Sequence, residues 1–182
     1  MNLPNKITMF RVVLIPFFVF FMISEHIAYH NYIAVAIFIV ASLTDMLDGK
    51  IARKYNLVSN FGKFMDPLAD KLLVSSAMIC FVALPSNPMP AWVVIVIIAR
   101  EFIISGFRLV ASDAGVVIAA SYWGKIKTVT QMIMSILLIV NFDGYIINIV
   151  EYVFIYAALI LTVISLVDYM VKNWSVMRDG NM

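Results

Sequence analysis

Charged residues are scarce in this sequence of 182 residues: 13% are Asp, Glu, Lys or Arg, whereas 63% are hydrophobic. Soluble domains usually contain about 25% charged and about 45–50% apolar residues. The deficit therefore argues against a water-soluble globule and against a disordered chain. Because the formal net charge is only +2, bulk electrostatics cannot carry binding to a phosphate backbone, and we expect no nucleic-acid partner.

Cysteine is almost absent, since Cys80 is the only one in the chain. A lone cysteine excludes an internal disulfide and a zinc site built from several cysteines. Cys80 lies within an apolar run, where the simplest expectation is a small buried apolar side chain.

Long apolar runs separated by short polar breaks make up the rest of the chain. At about 20 residues for each membrane crossing, the length accommodates about six spans and leaves no room for a soluble domain. We therefore predict an all-α integral membrane protein forming one transmembrane domain over residues 1–182, with a short interfacial segment near residues 2–11. The predicted spans are 8–23, 32–47, 64–84, 92–110, 126–140 and 146–171. Tight turns are expected at 85–88 and at 141–144.

Basic residues are missing from three long stretches, 12–49, 72–99 and 128–171. Each stretch is long enough for a helical hairpin and its outer turn. Since Lys and Arg are retained on the cytoplasmic side, the pattern predicts six spans with both termini and the 2–3 and 4–5 connections in the cytoplasm. We expect a multi-pass protein of the inner (cytoplasmic) membrane.

The few charges that are present are clustered, since residues 45–71 hold nine of the 24 charged residues. Asp45 and Asp48 are three apart, and Asp66 and Asp70 are four apart, so each pair shares a helix face. Four carboxylates converging at the membrane edge would repel one another, and hard divalent cations such as Mg²⁺ or Mn²⁺ would neutralise them. Two such ions can clamp a phosphoryl-type displacement. The alternative is that these acids are solvated span ends.

Small residues are interleaved with the acids. At helical spacing Gly49 and Ala52 share a stripe with Asp45 and Asp48, which allows close approach of a ligand or of another helix. Plain helix packing explains these small residues equally well.

The run Asp45-x2-Asp48-Gly49-x2-Ala52-Arg53-x8-Gly62-x3-Asp66-x3-Asp70 resembles the signature of the CDP-alcohol phosphotransferase family at all eight fixed positions. Softer likenesses are spread along much of the remaining length and resemble the bacterial members that use glycerol 3-phosphate. They are the segments 3–11, 66–71, 99–102 and 124–128.

This resemblance implies two divalent cations, Mg²⁺ or Mn²⁺, held by Asp45, Asp48, Asp66 and Asp70. It further implies that Asp70 is the catalytic base and that the protein is a homodimer of six-span subunits. The CDP part of CDP-diacylglycerol would be bound by Asp48, Gly49, Ala52, Arg53 and Gly62. We also expect Asn5, Thr8 and Arg11 to border this lipid headgroup site.

If the acceptor alcohol carries a phosphate, its binding site needs positively charged side chains. Arg108, Lys125 and Lys127 flank the cytoplasmic 4–5 connection. Together with Lys71 they are the candidate ligands of the acceptor phosphate, although they are also explained as topology markers. Arg100 and Glu101 lie within a span, where charges are usually functional or paired. Glu101 is seven residues from Arg108, so an ion pair between them is a further expectation.

The expected reaction is attack by the 1-hydroxyl of sn-glycerol 3-phosphate on the diacylglycerol-linked phosphorus of CDP-diacylglycerol. Asp70 would take the proton, CMP would leave, and the product would be phosphatidylglycerophosphate. Within the family the acceptor remains open to inositol phosphate, serine or phosphatidylglycerol. A small cation transporter that uses the four Asp residues is the alternative from another class, and a scaffolding membrane protein is a third.

Overall fold

A computed structural model describes residues 2–24, 26–54, 60–113, 116, 118, 119 and 121–174. The side chains of residues 46–54, 60, 63, 64, 67 and 113 lie outside the described part. Throughout the described residues the regular structure is α-helical, which confirms the predicted all-α class. Six helices follow one another: α1 (Leu3–Ile23), α2 (His30–Lys54), α3 (Asn60–Ala83), α4 (Ala91–Asp113), α5 (Tyr122–Val140) and α6 (Tyr145–Lys172).

Helix length and surface chemistry suit a lipid environment. About 20 helical residues cross a hydrocarbon core of about 30 Å. Among the described residues, α1, α5 and α6 are long and apolar enough to span a membrane. In α2 the apolar part is shorter, from His30 to Asp45. Large apolar side chains stand exposed on these helices, such as Phe17 at 55% and Ile95 at 66%, and lipid is the solvent that such surfaces favour.

The segment near residues 2–11 differs from the expectation of a separate interfacial element. It forms the first half of α1, which runs without a break from Leu3 to Ile23. Pro4 lies in the first turn, where the missing amide hydrogen costs nothing because no carbonyl precedes it in the helix. No breaker follows until Pro16, and the helix continues through that residue.

Short connections between helices occur at both positions where the sequence predicted turns. After α3 ends at Ala83, the amide of Asn87 donates to the carbonyl of Leu84 over 3.1 Å. Prolines at 85, 88 and 90 prevent the helix from continuing, and α4 begins at Ala91. Residues 141–144 form the short connection between α5 and α6.

The chain divides into two compact units, and the first comprises Met1–Asn87 and Ile136–Phe142. In it α1 packs against both α2 and α3. One face of α1 is buried, and it is polar in its first half and apolar in its second half: Pro4, Asn5, Thr8, Arg11, Ile15, Phe18 and Met22. The Phe18 ring lies 5.7 Å, centroid to centroid, from the Phe38 ring of α2. This packing fixes the position of the polar half of α1 relative to α2.

The second unit comprises Pro88–Ser135 and Asp143–Met182. Here α4 packs against α6. The buried stripe of α6 ends at Tyr169, whose ring meets Phe107 of α4 edge-on with centroids 5.6 Å apart. Arg100 and Lys127 are buried in this unit.

Candidate active site

The polar half of α1 contacts two of the acids that the sequence singled out. Arg11 is fully buried, and its Nη1 donates to Oδ1 of Asp45 on α2 over 2.7 Å. Thr8 is fully buried too, and its hydroxyl lies 2.7 Å from Oδ1 of Asp66 on α3. One helix therefore holds carboxylates from two neighbouring helices.

The acids differ in their access to solvent. Asp45 has a side-chain exposure of 39%, Asp66 is half-buried and Asp70 is exposed. Among the described side chains, no three His, Cys, Asp or Glu residues form a group that could hold a metal ion. The side chain of Asp48 lies outside the described part, so the predicted set of four is untested. Their donor atoms are carboxylate oxygens, the chemistry that suits Mg²⁺ or Mn²⁺.

The predicted CDP-binding residues are described unevenly. Helix α2 continues to Lys54 and so includes Asp48, Gly49, Ala52 and Arg53 in its backbone, but their side chains lie outside the described part. Gly62 is buried near the start of α3. Asn5 and Thr8 are both buried on the face of α1 that carries Arg11. The roles of all these residues stay predictions.

The predicted acceptor-phosphate residues are divided between the two units. Lys71 is half-buried on α3 in the first unit. Arg108, Lys125 and Lys127 belong to the second unit, where Arg108 and Lys125 are exposed. The Arg108 guanidinium carbon lies 5.6 Å from the ring centroid of Tyr169, within the range of a cation–π contact.

Lys127 has another partner, because its ammonium forms an ion pair with Glu101 of α4. Arg100 also donates to the Glu101 carboxylate, over 3.1 Å. Among the described residues Glu101 thus pairs with Arg100 and Lys127, and no ion pair between Glu101 and Arg108 is seen there. Spacing along a single helix could not reveal this arrangement, because Lys127 belongs to a different helix.

Sequence reasoning also missed Arg11 as a partner of Asp45. A signal was present, since Asn5, Thr8 and Arg11 recur every three residues and therefore share one helix face. A basic residue on the inner face of a membrane helix needs an acidic partner. Which acid it meets depends on how α1 packs, and the local pattern does not contain that information.

The comparisons with known proteins agree with the sequence signature. The family model for CDP-alcohol phosphatidyltransferases matches residues 1–164. A Bacillus subtilis protein named CDP-diacylglycerol–glycerol-3-phosphate 3-phosphatidyltransferase is 45% identical over 196 residues, covering 99% of each chain. A Haemophilus influenzae protein of the same name is 38% identical over 93% of this chain and 91% of its own length.

A Mycobacterium tuberculosis protein described as a probable phosphatidylglycerophosphate synthase is 38% identical over 94% of this chain and 81% of its own length. The chain belongs to the CDP-alcohol phosphatidyltransferase family, as its eight-residue signature predicted.

Proposed function

We propose that this chain transfers the phosphatidyl group of CDP-diacylglycerol to sn-glycerol 3-phosphate, giving phosphatidylglycerophosphate and CMP. The observation that carries the proposal is the relative that is 45% identical along 99% of both chains and is named for this reaction. An intact family signature adds support, because the residues that would do the chemistry are all present. The same match argues against a cation transporter and against a scaffold.

We propose Asp45, Asp48, Asp66 and Asp70 as the ligands of two divalent cations, Mg²⁺ or Mn²⁺. When bound, such cations supply positive charge against the pyrophosphate oxygens of the lipid substrate. Asp70 is the proposed base: its carboxylate accepts the proton of the acceptor hydroxyl, whose oxygen forms the new bond to phosphorus. The bond from that phosphorus to the CMP oxygen breaks. The exposure of Asp70 suits a base that must meet a soluble alcohol.

The lipid substrate is proposed to lie against Asp48, Gly49, Ala52, Arg53, Gly62, Asn5 and Thr8. In addition to the metal ions, its pyrophosphate needs a positively charged side chain. The planar guanidinium of Arg53 is proposed to be that group. The burial of Gly62 is consistent with a close approach by a neighbouring group.

For the acceptor phosphate we propose Arg108, Lys125, Lys127 and Lys71. Arg108 and Lys125 are exposed cations available to a soluble anion. Lys127 already neutralises Glu101, so it is expected to contribute less charge to the phosphate than Arg108 and Lys125 do.

The proposed setting is a homodimer in the inner (cytoplasmic) membrane, with six spans per subunit, both termini in the cytoplasm and the active site facing the cytoplasm. The distribution of Lys and Arg supports this topology, and the apolar α1, α5 and α6 support membrane insertion. We propose that residues 1–182 act as one transmembrane catalytic domain, which the family match over residues 1–164 supports.

An acceptor panel tests the proposal. The purified full chain is incubated with CDP-diacylglycerol and Mg²⁺ or Mn²⁺, and CMP release is measured with glycerol 3-phosphate, inositol phosphate, serine and phosphatidylglycerol in turn. We expect CMP with glycerol 3-phosphate alone and none after a chelator removes the metal. CMP with another acceptor only would overturn the acceptor while keeping the family, and CMP release unaffected by chelation would overturn the metal assignment.

A further inference from the structure

The geometry points to Thr8 and Arg11 as positioning residues that hold Asp66 and Asp45 in the orientation needed to bind divalent cations. This inference rests on the proposed function, because it takes Asp45 and Asp66 as metal ligands. It adds a role for α1, whose residues lie outside the signature.

The first support is which carboxylate oxygen Thr8 and Arg11 contact. Thr8 contacts Oδ1 of Asp66 and Arg11 contacts Oδ1 of Asp45, each at 2.7 Å. Within the described part of the chain, no hydrogen bond or ion pair occupies Oδ2 of Asp45 or of Asp66. A carboxylate held through one oxygen keeps the other oxygen for a cation, and groups that orient a ligand in this way tune metal affinity.

The second support is the rigidity of the donors. Thr8 and Arg11 are both fully buried, and the same face of α1 continues into the apolar contact between Phe18 and Phe38. A buried side chain has few alternative rotamers, so it transmits the position of its helix to the group that it contacts. The two hydrogen bonds therefore define where Asp45 and Asp66 lie.

The third support is topology. Asp45 lies on α2 and Asp66 on α3, and among the described residues these two helices contact each other less extensively than each contacts α1. The separation of the two carboxylates is consequently set through α1. Two ions that share ligands must lie about 3.5–4 Å apart, which tolerates little error in carboxylate position.

Thr8 offers the sharper test because it carries no charge. Its hydroxyl has one proton, and the contact to Asp66 at 2.7 Å competes with the carbonyl of Pro4 at 3.1 Å. Thr8→Val removes the hydroxyl and keeps the shape, whereas Thr8→Ser keeps the hydroxyl. The Arg11→Lys variant keeps the positive charge and removes the planar guanidinium. The repulsion between residue 11 and a bound metal ion therefore stays the same, and only the orientation of the Asp45 carboxylate changes.

The matched control is Thr162→Val. Thr162 is fully buried on α6, and its hydroxyl donates over 2.6 Å to the backbone carbonyl of Ala158, with no carboxylate involved. It therefore reports what the loss of a buried hydroxyl does to the protein in general. Asp66→Asn is the control for the metal site itself.

The experiment titrates the purified full chain with Mn²⁺ in the absence of both substrates and follows free Mn²⁺ by electron paramagnetic resonance, with a thermal melt of each variant. We expect the dissociation constant for Mn²⁺ to rise about 10–100-fold in Thr8→Val and Arg11→Lys, and to stay unchanged in Thr8→Ser and Thr162→Val.

Unchanged affinity in a folded Thr8→Val or Arg11→Lys variant, with loss in Asp66→Asn, would overturn the positioning role alone. Unchanged affinity in Asp66→Asn would instead overturn the proposed metal site. If Thr8→Val does not fold, Arg11→Lys decides the question.

Discussion

Lys127 on α5 forms an ion pair with Glu101 on α4, and both side chains are largely withdrawn from solvent, at 2% and 21% exposure. This contact ties two helices of the second unit together through opposite charges in an apolar setting. Among the described residues, Arg100 also donates a hydrogen bond to the Glu101 carboxylate.

The first prediction concerns this contact. Lys127→Met leaves Glu101 with one fewer donor, and the loss of a buried partner costs about 1–3 kcal/mol of stability. We expect a lower melting temperature for the variant in detergent. Lys125→Met is the control, since Lys125 is exposed two residues earlier on the same helix. Equal melting temperatures for the two variants would show that the pair adds nothing to stability.

The second prediction concerns Arg108 and the Tyr169 ring that it contacts. If Arg108 binds the acceptor phosphate, Arg108→Ala raises KM for glycerol 3-phosphate about 10–100-fold, because a charge-assisted hydrogen bond is lost. Tyr169→Leu removes the cation–π contact, worth about 0.5–1 kcal/mol, and so raises the same KM about 2–5-fold.

Steady-state kinetics with each substrate varied in turn check this assignment. Tyr169→Phe keeps the ring and serves as the control, with KM for glycerol 3-phosphate expected to match the unaltered chain. A rise confined to KM for CDP-diacylglycerol would show that Arg108 binds the lipid substrate and not the acceptor phosphate.

The third prediction concerns the base. Asp70→Asn removes the proton acceptor, and the rate of CMP release is expected to fall about 10²–10⁴-fold without a change in melting temperature. Asp143→Asn provides the comparison, because Asp143 is an exposed acid in the α5–α6 connection. The assignment fails if Asp70→Asn turns over at the rate of Asp143→Asn.

The fourth prediction concerns topology. Ser86 and Ser112 are both exposed, and the inferred topology places Ser86 outside the cell and Ser112 at the cytoplasmic face. Since the only native cysteine, Cys80, is buried, single Ser→Cys changes at these positions can be labelled with a membrane-impermeant maleimide. We expect Ser86→Cys to react in intact cells and Ser112→Cys to react only after permeabilisation. The reverse pattern would invert the proposed orientation.

The sequence predicted the helices better than their ends. Each of the six predicted spans overlaps one observed helix, yet α1 starts at Leu3 and α2 runs on to Lys54. Hydropathy detects the part of a helix that lies in lipid, and it carries no information about polar turns that extend beyond the membrane. Helix propensity and capping residues determine instead how far those turns extend.

The signature predicted the family because residue type and spacing are local properties of the chain. The partners of the charged side chains were not predictable in the same way. Arg11 and Asp45 are 34 positions apart, and Glu101 and Lys127 are 26 apart. Such contacts depend on which helices become neighbours and on their rotation, and a single sequence does not specify either.

The position of α1 along the chain has a consequence for biosynthesis. Because chains are synthesised from the N-terminus, the helix that contacts Asp45 and Asp66 is complete before the ribosome has made the two helices that carry them. The acids of α2 and α3 therefore emerge when the helix that carries their hydrogen-bond donors, Arg11 and Thr8, already exists.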